Sequence, residues 1–100
     1  MIKIKIRLSS WIAAKIEVDH SGWLTLEKEV GEGSTIRDLL VGLVMTYPSL
    51  REAVYNPDTG LINERINVAL NDHLLTSHEV LQAKLSDGDT VILLPSSWGG

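Results

Sequence analysis

The sequence predicts a single α+β domain in which one main amphipathic helix packs across a small mixed β-sheet. Three observations favour this class: an alternating first strand, a helical apolar stripe in the middle of the chain, and a short apolar strand near its end. The chain has 100 residues, which is the usual size of one domain. An amphipathic helix and a sheet with one apolar face bury those surfaces against each other.

Composition excludes several function classes. The formal net charge is −4, whereas nucleic-acid-binding domains are usually basic. Cysteine is absent, so the chain has no disulfide, no thiolate metal site and no cysteine nucleophile. No apolar run has the length of a membrane span, and the first residues alternate instead of forming the apolar core of a signal peptide. We therefore expect a cytoplasmic protein with neither nucleic-acid nor membrane partners.

The first part of the chain predicts a hairpin. Residues 2–8 alternate between aliphatic side chains and three cations, which are Lys3, Lys5 and Arg7. Residues 23–30 repeat the alternation, so both segments should have one apolar and one polar face. Residues 15–18 also alternate before a turn over 19–22, and we interpret them as part of an interrupted first arm.

The helix follows a glycine-containing break. Its apolar residues recur at the helical period and form one stripe: Ile36, Leu39, Leu40, Leu43, Val44 and Tyr47. Thr35 and Asp38 have the spacing of a capping pair, and Pro48 should end the helix. Residues 50–55 have room for one further helical turn.

Short strands complete the predicted sheet. Residues 66–70 alternate, and the turn at 71–72 suits a tight hairpin into residues 73–75. Residues 90–94 are continuously apolar, which predicts a central strand buried on both faces. Pro95 should end this strand. We therefore predict a domain over 1–95 and a flexible C-terminal tail over 96–100 that ends in Gly-Gly.

Histidine offers little evidence for a metal site. His20, His73 and His78 show no i, i+4 pair, and no cysteine accompanies them. We therefore expect neither a metal nor a bound cofactor.

The order of elements resembles the ThiS/MoaD family of ubiquitin-like (β-grasp) sulfur carrier proteins. The resemblance is most specific in residues 68–72, an apolar strand ending in an Asn turn, and in residues 87–95, an Asp-Gly-Asp turn followed by an apolar strand and Pro. The final Gly99 and Gly100 match the family's diglycine C-terminus. The turn at 56–60 and the strand at 66–71 are similar to the cysteine-synthesis carrier CysO.

The resemblance implies a carrier and not an enzyme. In this family a partner uses ATP to adenylate the C-terminal glycine, here Gly100, and a sulfur donor then displaces AMP to leave a thiocarboxylate. The implied partners are an adenylating enzyme of the ubiquitin-activating type (MoeB/ThiF-like), a persulfide sulfur donor and a downstream acceptor enzyme. The chain would then be a protein cosubstrate, as is the small subunit of a molybdopterin synthase-like complex.

The residue types of the tail suit this chemistry. Glycine lacks a Cβ, so Gly99 and Gly100 can enter a narrow channel in a partner. We expect Pro95 and Trp98 to shape the tail for its partner, and the cations Lys3, Lys5 and Arg7 to help the partner bind.

Two other functions stay open at this point. The chain is alternatively a ubiquitin-like protein modifier conjugated through Gly100, or a non-catalytic β-grasp interaction module, because fold does not determine function. The receiving pathway also stays open among molybdopterin, thiamine, cysteine or homocysteine, and thiolated tRNA.

Overall fold

The computed structural model describes residues 1–16, 22–76 and 79–95. Its elements follow in the order β1 (Ile2–Leu8), α1 (Ser10–Ala13), β2 (Leu24–Val30), α2 (Ile36–Thr46), α3 (Leu50–Ala53), β3 (Tyr55–Asn56), β4 (Leu61–Ile62), β5 (Ile66–Leu70), β6 (His73–Leu74) and β7 (Thr90–Pro95). In these ranges no helix has the length and apolar content needed to cross a membrane.

Five strands form one mixed sheet in the order β2-β1-β7-β5-β6. Strands β1 and β7 are parallel, whereas the pairs β1–β2, β5–β7 and β5–β6 are antiparallel. Strands β3 and β4 form a separate two-stranded sheet. The last of the described strands therefore lies at the centre of the sheet, and the predicted mixed α+β architecture is confirmed.

Strand β1 follows the alternation in its sequence. Its burial alternates strictly: the four aliphatic side chains are at most 7% exposed, and the three cations between them are exposed. The aliphatic side chains belong to one core cluster with the buried stripe of α2, which is Ile36, Leu39, Leu40, Leu43 and Val44. We call the sheet face that packs against α2 the inner face, and the opposite one the outer face.

Both ends of α2 agree with the prediction. The Thr35 hydroxyl accepts a hydrogen bond from the Asp38 backbone N–H, and the Asp38 carboxylate accepts one from the Thr35 N–H at 3.0 Å. This reciprocal pair satisfies two of the N–H groups that a helix start leaves without a partner. The helix ends at Thr46, just before Tyr47 and Pro48.

The predicted continuation of the first hairpin arm into residues 15 and 16 is wrong. Residues 10–13 form the short helix α1, in which Ile12 and Ala13 are fully buried, and residues 15 and 16 lie in a turn. Burial of Ile12 in the core explains why the chain turns there and does not extend the strand. Glu17 and Val18, the rest of the expected strand arm, lie outside the described residues.

Strand β7 is central, but it is not buried on both faces. Val91 and Leu93 are fully buried on the inner face, whereas Ile92 and Leu94 on the outer face are half-buried. The reason is that α2 covers the inner face alone. A continuous apolar run here means one core face and one accessible apolar face.

Candidate functional site

The predicted tail follows Pro95, which lies in the middle of the sheet. Pro95, its last described neighbour, is the final residue of β7 and pairs with Ile66 of β5. Trp98, Gly99 and Gly100 lie outside the described residues, and their assigned roles stay predictions. The division into a domain over 1–95 and a tail over 96–100 stays a prediction for the same reason.

The sheet has two ends that differ in chemistry. We call the end where β7 stops at Pro95 the exit end, and the end where β7 starts at Thr90 the clasp end. Because β1 is parallel to β7, its first residues lie at the clasp end and Leu8 lies at the exit end, opposite Leu93. Ser9 continues this pairing, since its N–H donates to the Leu93 carbonyl at 3.1 Å.

The Asp-Gly-Asp turn closes the clasp end. The Asp87 carboxylate accepts from the Lys3 N–H at 2.8 Å, and the Gly88 N–H donates to the Lys3 carbonyl at 2.9 Å. Gly88 has φ +88°, a left-handed conformation that glycine adopts without strain. These bonds attach the turn before β7 to the first residues of β1.

Asp89 and Asn71 connect the same turn to the β5–β6 hairpin. The Asp89 carboxylate accepts from the Asn71 side-chain amide at 2.8 Å and from the Ser86 N–H at 2.7 Å. The Asn71 amide oxygen accepts from the Thr90 N–H at 2.9 Å. Asn71 and Asp72 have φ values of 48° and 74°, which match the two-residue hairpin predicted for this turn. These motif residues hold the strands in register, at the end of the sheet away from Pro95.

The three predicted binding cations lie together on the outer face of β1, but their neighbours differ. Lys3 is opposite Glu29 of β2 and Lys5 is opposite Glu27. Arg7 is opposite the uncharged Thr25 on β2, and opposite Ile92 on β7. The sequence shows the cations but does not show which acidic side chains lie beside them.

Sequence reasoning missed an apolar strip on the same face. Ile92 pairs with Ala69 of β5, which pairs with Leu74 of β6, so these side chains continue the row that begins at Arg7. Leu94 lies on this face one step closer to Pro95, and Leu74 is 63% exposed. We call Ile92, Leu94, Ala69 and Leu74 the apolar strip. The sequence pattern could have indicated the strip, because successive residues of a strand point to opposite faces of the sheet. With Val91 and Leu93 in the core, Ile92 and Leu94 lie on the other face.

Two tryptophans lie near the exit end. The Arg7 guanidinium carbon is 5.2 Å from the ring centroid of Trp23, and the Lys15 Nζ is 5.5 Å from that of Trp11. Each tryptophan is 42% exposed. Both rings therefore lie at the surface, each beside a cation.

The fold defines a ubiquitin-like β-grasp domain: a mixed sheet with β7 at its centre and one main helix across the inner face. The ThiS family model matches residues 13–100, and the chain belongs to the ThiS family. In a comparison with curated protein sequences, no match was found.

Several solved structures share this fold. Small archaeal modifier protein 1 (SAMP1) from Haloferax volcanii is 26% identical, with 98% of this chain and 99% of that chain covered and a TM-score of 0.73. A protein described as molybdopterin converting factor, subunit 1, from Pyrococcus furiosus is 20% identical over 95% of this chain and 98% of its own, with a TM-score of 0.67. A chain of the BexX/CysO complex from Amycolatopsis orientalis is 21% identical over 95% of this chain and 99% of its own, with a TM-score of 0.64.

Together, the family and these structures place the protein in the class of small sulfur carriers and modifiers. Proteins of this class are generally not catalysts themselves.

Proposed function

We propose that this protein is a sulfur carrier whose working group is the C-terminal carboxylate of Gly100. An ATP-dependent partner joins that carboxylate to AMP and releases pyrophosphate. The terminal sulfur of a persulfide then attacks the acyl carbon and expels AMP, which gives an acyl disulfide. A second thiol attacks the donor's sulfur in that acyl disulfide and forms a new disulfide with it, which releases a thiocarboxylate on Gly100. The thiocarboxylate donates its sulfur in the biosynthesis of a cofactor or an amino acid.

One observation carries the proposal: a ThiS-family chain bears Gly99 and Gly100 five residues or fewer beyond the central strand β7. A carboxylate is a poor acyl donor until its oxygen becomes a good leaving group, and adenylation supplies one. Because the chain contains no cysteine, both thiols in the sequence of steps belong to partners. Strand β7 is paired on both sides, so the reactive end starts from a rigid element.

The proposal needs three partners. They are an adenylating enzyme, a persulfide donor, and an acceptor enzyme that takes the sulfur. Structures described as a molybdopterin converting factor subunit and as a BexX/CysO complex support the idea that such a carrier works with partner enzymes. We assign partner contacts to Pro95 and Trp98 near the reactive end and to the outer face of the sheet at Arg7, which of the three predicted cations lies nearest that end.

A second candidate function shares the same activation. The similarity to SAMP1, a modifier protein by name, favours attack on the adenylate by a lysine amine instead of by sulfur. The product is then an isopeptide bond between Gly100 and a target protein, and AMP leaves in the same way.

The intact mass of the protein from its native host tests the proposal. A mass increase equal to the replacement of one oxygen by sulfur at Gly100 supports the carrier. Adducts joined through Gly100 to lysine support the modifier. An unmodified carboxylate that no host adenylating enzyme accepts overturns both and leaves a β-grasp interaction module. The same spectrum checks that the natural chain ends at Gly100, which the proposal requires.

A further inference from the structure

The outer face of the sheet divides into a charge-matched part and an apolar part. Toward the clasp end, Lys3 faces Glu29 and Lys5 faces Glu27 across the β1–β2 pair. Directly opposite side chains on one face of a sheet have Cβ atoms about 4.5–5.5 Å apart, so each lysine lies in the field of a carboxylate. Lys3 and Lys5 are thus each balanced by an acid directly opposite on β2.

Arg7 has different surroundings. Its row across the sheet runs Thr25, Arg7, Ile92, Ala69, Leu74, with one residue from each of the five strands. Within residues 1–16, 22–76 and 79–95, none of the three cations of β1 lies within 4.0 Å of a carboxylate, so they differ in the residue directly opposite and not in ion pairing. Arg7 is the cation whose two cross-strand neighbours, Thr25 and Ile92, carry no charge, and it lies at the edge of the apolar strip.

The Arg7 side chain is also held in place. Its guanidinium lies over the ring of Trp23. Stacking of this kind leaves the in-plane N–H groups free for a bidentate bond to a carboxylate, and it reduces the conformational entropy lost on binding. A lysine ammonium has no comparable fork geometry.

Any partner that covers the apolar strip must also cover Arg7. Removing water from a cation without replacing its hydrogen bonds is costly, so such a partner has to bring an acceptor. A carboxylate is the best match, because Arg–carboxylate pairs form two parallel charge-assisted hydrogen bonds. Lys3 and Lys5 impose no such requirement, because their neighbours already include acids.

We propose that Arg7 is the specificity-determining cation of this surface, and that it pairs with a carboxylate set in an apolar patch of the adenylating partner. The patch packs on the apolar strip, which leads along β7 to Pro95 and the reactive end. Lys3 and Lys5 do not contact the partner. This inference rests on the proposed function, because the partner is the enzyme that activates Gly100.

The first test compares two neighbouring cations on β1. ATP–pyrophosphate exchange by the host's adenylating enzyme is measured while the full-length protein is titrated. Arg7→Gln should raise the half-saturating concentration by about tenfold or more, the effect of breaking a desolvated charge pair. Lys5→Gln removes the same charge from the next exposed position and should change it by less than about twofold. Thermal unfolding of both variants checks that the fold is intact.

A second variant tests the mechanism without removing the cation. Thr25→Asp places a carboxylate opposite Arg7, as Glu27 is placed opposite Lys5. The new carboxylate should compete with the partner's carboxylate for Arg7 and weaken binding severalfold. Thr25→Asn should not weaken binding, because asparagine has the shape of aspartate without its charge. If Thr25→Asp and Thr25→Asn changed the half-saturating concentration equally, the partner would not recognise the charge of Arg7.

The apolar strip is tested by a matched pair of exposed leucines. Leu74, in the strip, is 63% exposed, and Leu61, on β4 away from this face, is 67% exposed. Leu74→Ser should raise the half-saturating concentration severalfold, and Leu61→Ser should leave it unchanged.

The outcomes separate the two proposals. In one outcome, the wild-type protein supports exchange while Arg7→Gln and Lys5→Gln change the half-saturating concentration equally, or not at all. That result overturns the role of Arg7 and leaves the proposed function standing. Absence of exchange with the wild-type protein and every host adenylating enzyme overturns the proposed function and, with it, this inference.

Discussion

The two ends of the central strand β7 perform different tasks. At the clasp end, the side chains of Asp87, Asp89 and Asn71 bond to backbone and amide groups of three separate segments. At the exit end, the sheet presents the apolar strip, a stacked Arg7 and the start of the tail. The most distinctive internal motif of the sequence therefore builds the scaffold, and the proposed chemistry lies at the opposite end. Substitutions at the two ends should consequently change different quantities, either stability or activity.

Loss of Gly100 should give the largest effect, and it should be an effect on activity alone. The deletion moves the carboxylate back by one residue, about 3.5 Å along the chain. A misplacement of about 1 Å already costs roughly 10²-fold in an enzyme site, so exchange with the adenylating enzyme should fall to background. Exchange assays and thermal unfolding of the same samples measure both quantities. If the deletion lowered the unfolding temperature markedly, effects on stability and on activity could not be assigned to separate ends of β7.

Asp89→Ala should show the opposite behaviour. It removes the acceptor for the Asn71 amide and for the Ser86 N–H, two solvent-accessible hydrogen bonds that contribute about 0.5–1.5 kcal/mol each. We expect the free energy of unfolding in urea to fall by about 2 kcal/mol, with unchanged exchange activity per folded molecule.

Asp58→Ala is the matched control for that variant. Asp58 pairs with Arg51, and its side chain is 73% exposed. Exposed pairs contribute little, so the loss should stay below about 1 kcal/mol. If both aspartates gave the same loss, the hydrogen bonds at the clasp end would not hold the strands together as their geometry indicates.

Asp72→Gly should give the smallest effect, a gain in stability. Asp72 has φ 74°, and the second position of this type of hairpin turn favours glycine. We expect a stabilisation of about 0.5 kcal/mol, since relief of the left-handed backbone exceeds the entropy that glycine adds to the unfolded chain. Glu64→Gly, at a turn position without positive φ, should destabilise by a similar amount. Urea unfolding of both variants measures the difference, and a loss for Asp72→Gly would contradict this account of the clasp.

Local patterns predicted the elements that local physics determines. Strand β1, helix α2 with its Thr35–Asp38 capping box, and the hairpin turn at Asn71 and Asp72 follow from periodicity and turn chemistry. Helix α1 could not be predicted in this way, because four residues are too few to show a helical period. Its conformation depends instead on the burial of Ile12 in the core.

The candidate site was only partly predictable for a different reason. The sequence identified Lys3, Lys5 and Arg7 but gave them one role. The difference between Arg7 and the lysines depends on the register of β1 with β2 and on the parallel neighbour β7, from the far end of the chain. Register between distant strands is a tertiary property, and no window of sequence contains it.

The central position of β7 also affects the order of events during synthesis. The first strand pairs with a strand that the ribosome makes more than eighty residues later, between Lys5 and Thr90 at one limit and Leu8 and Leu93 at the other. Until that strand emerges, β1 and β5 have no neighbour between them, and the sheet stays divided. A chain interrupted before residue 90 therefore lacks both the completed domain and the end that would be activated. Pairing of such distant segments is slow to form, so the architecture itself delays assembly of the proposed docking face until β7 has emerged from the ribosome.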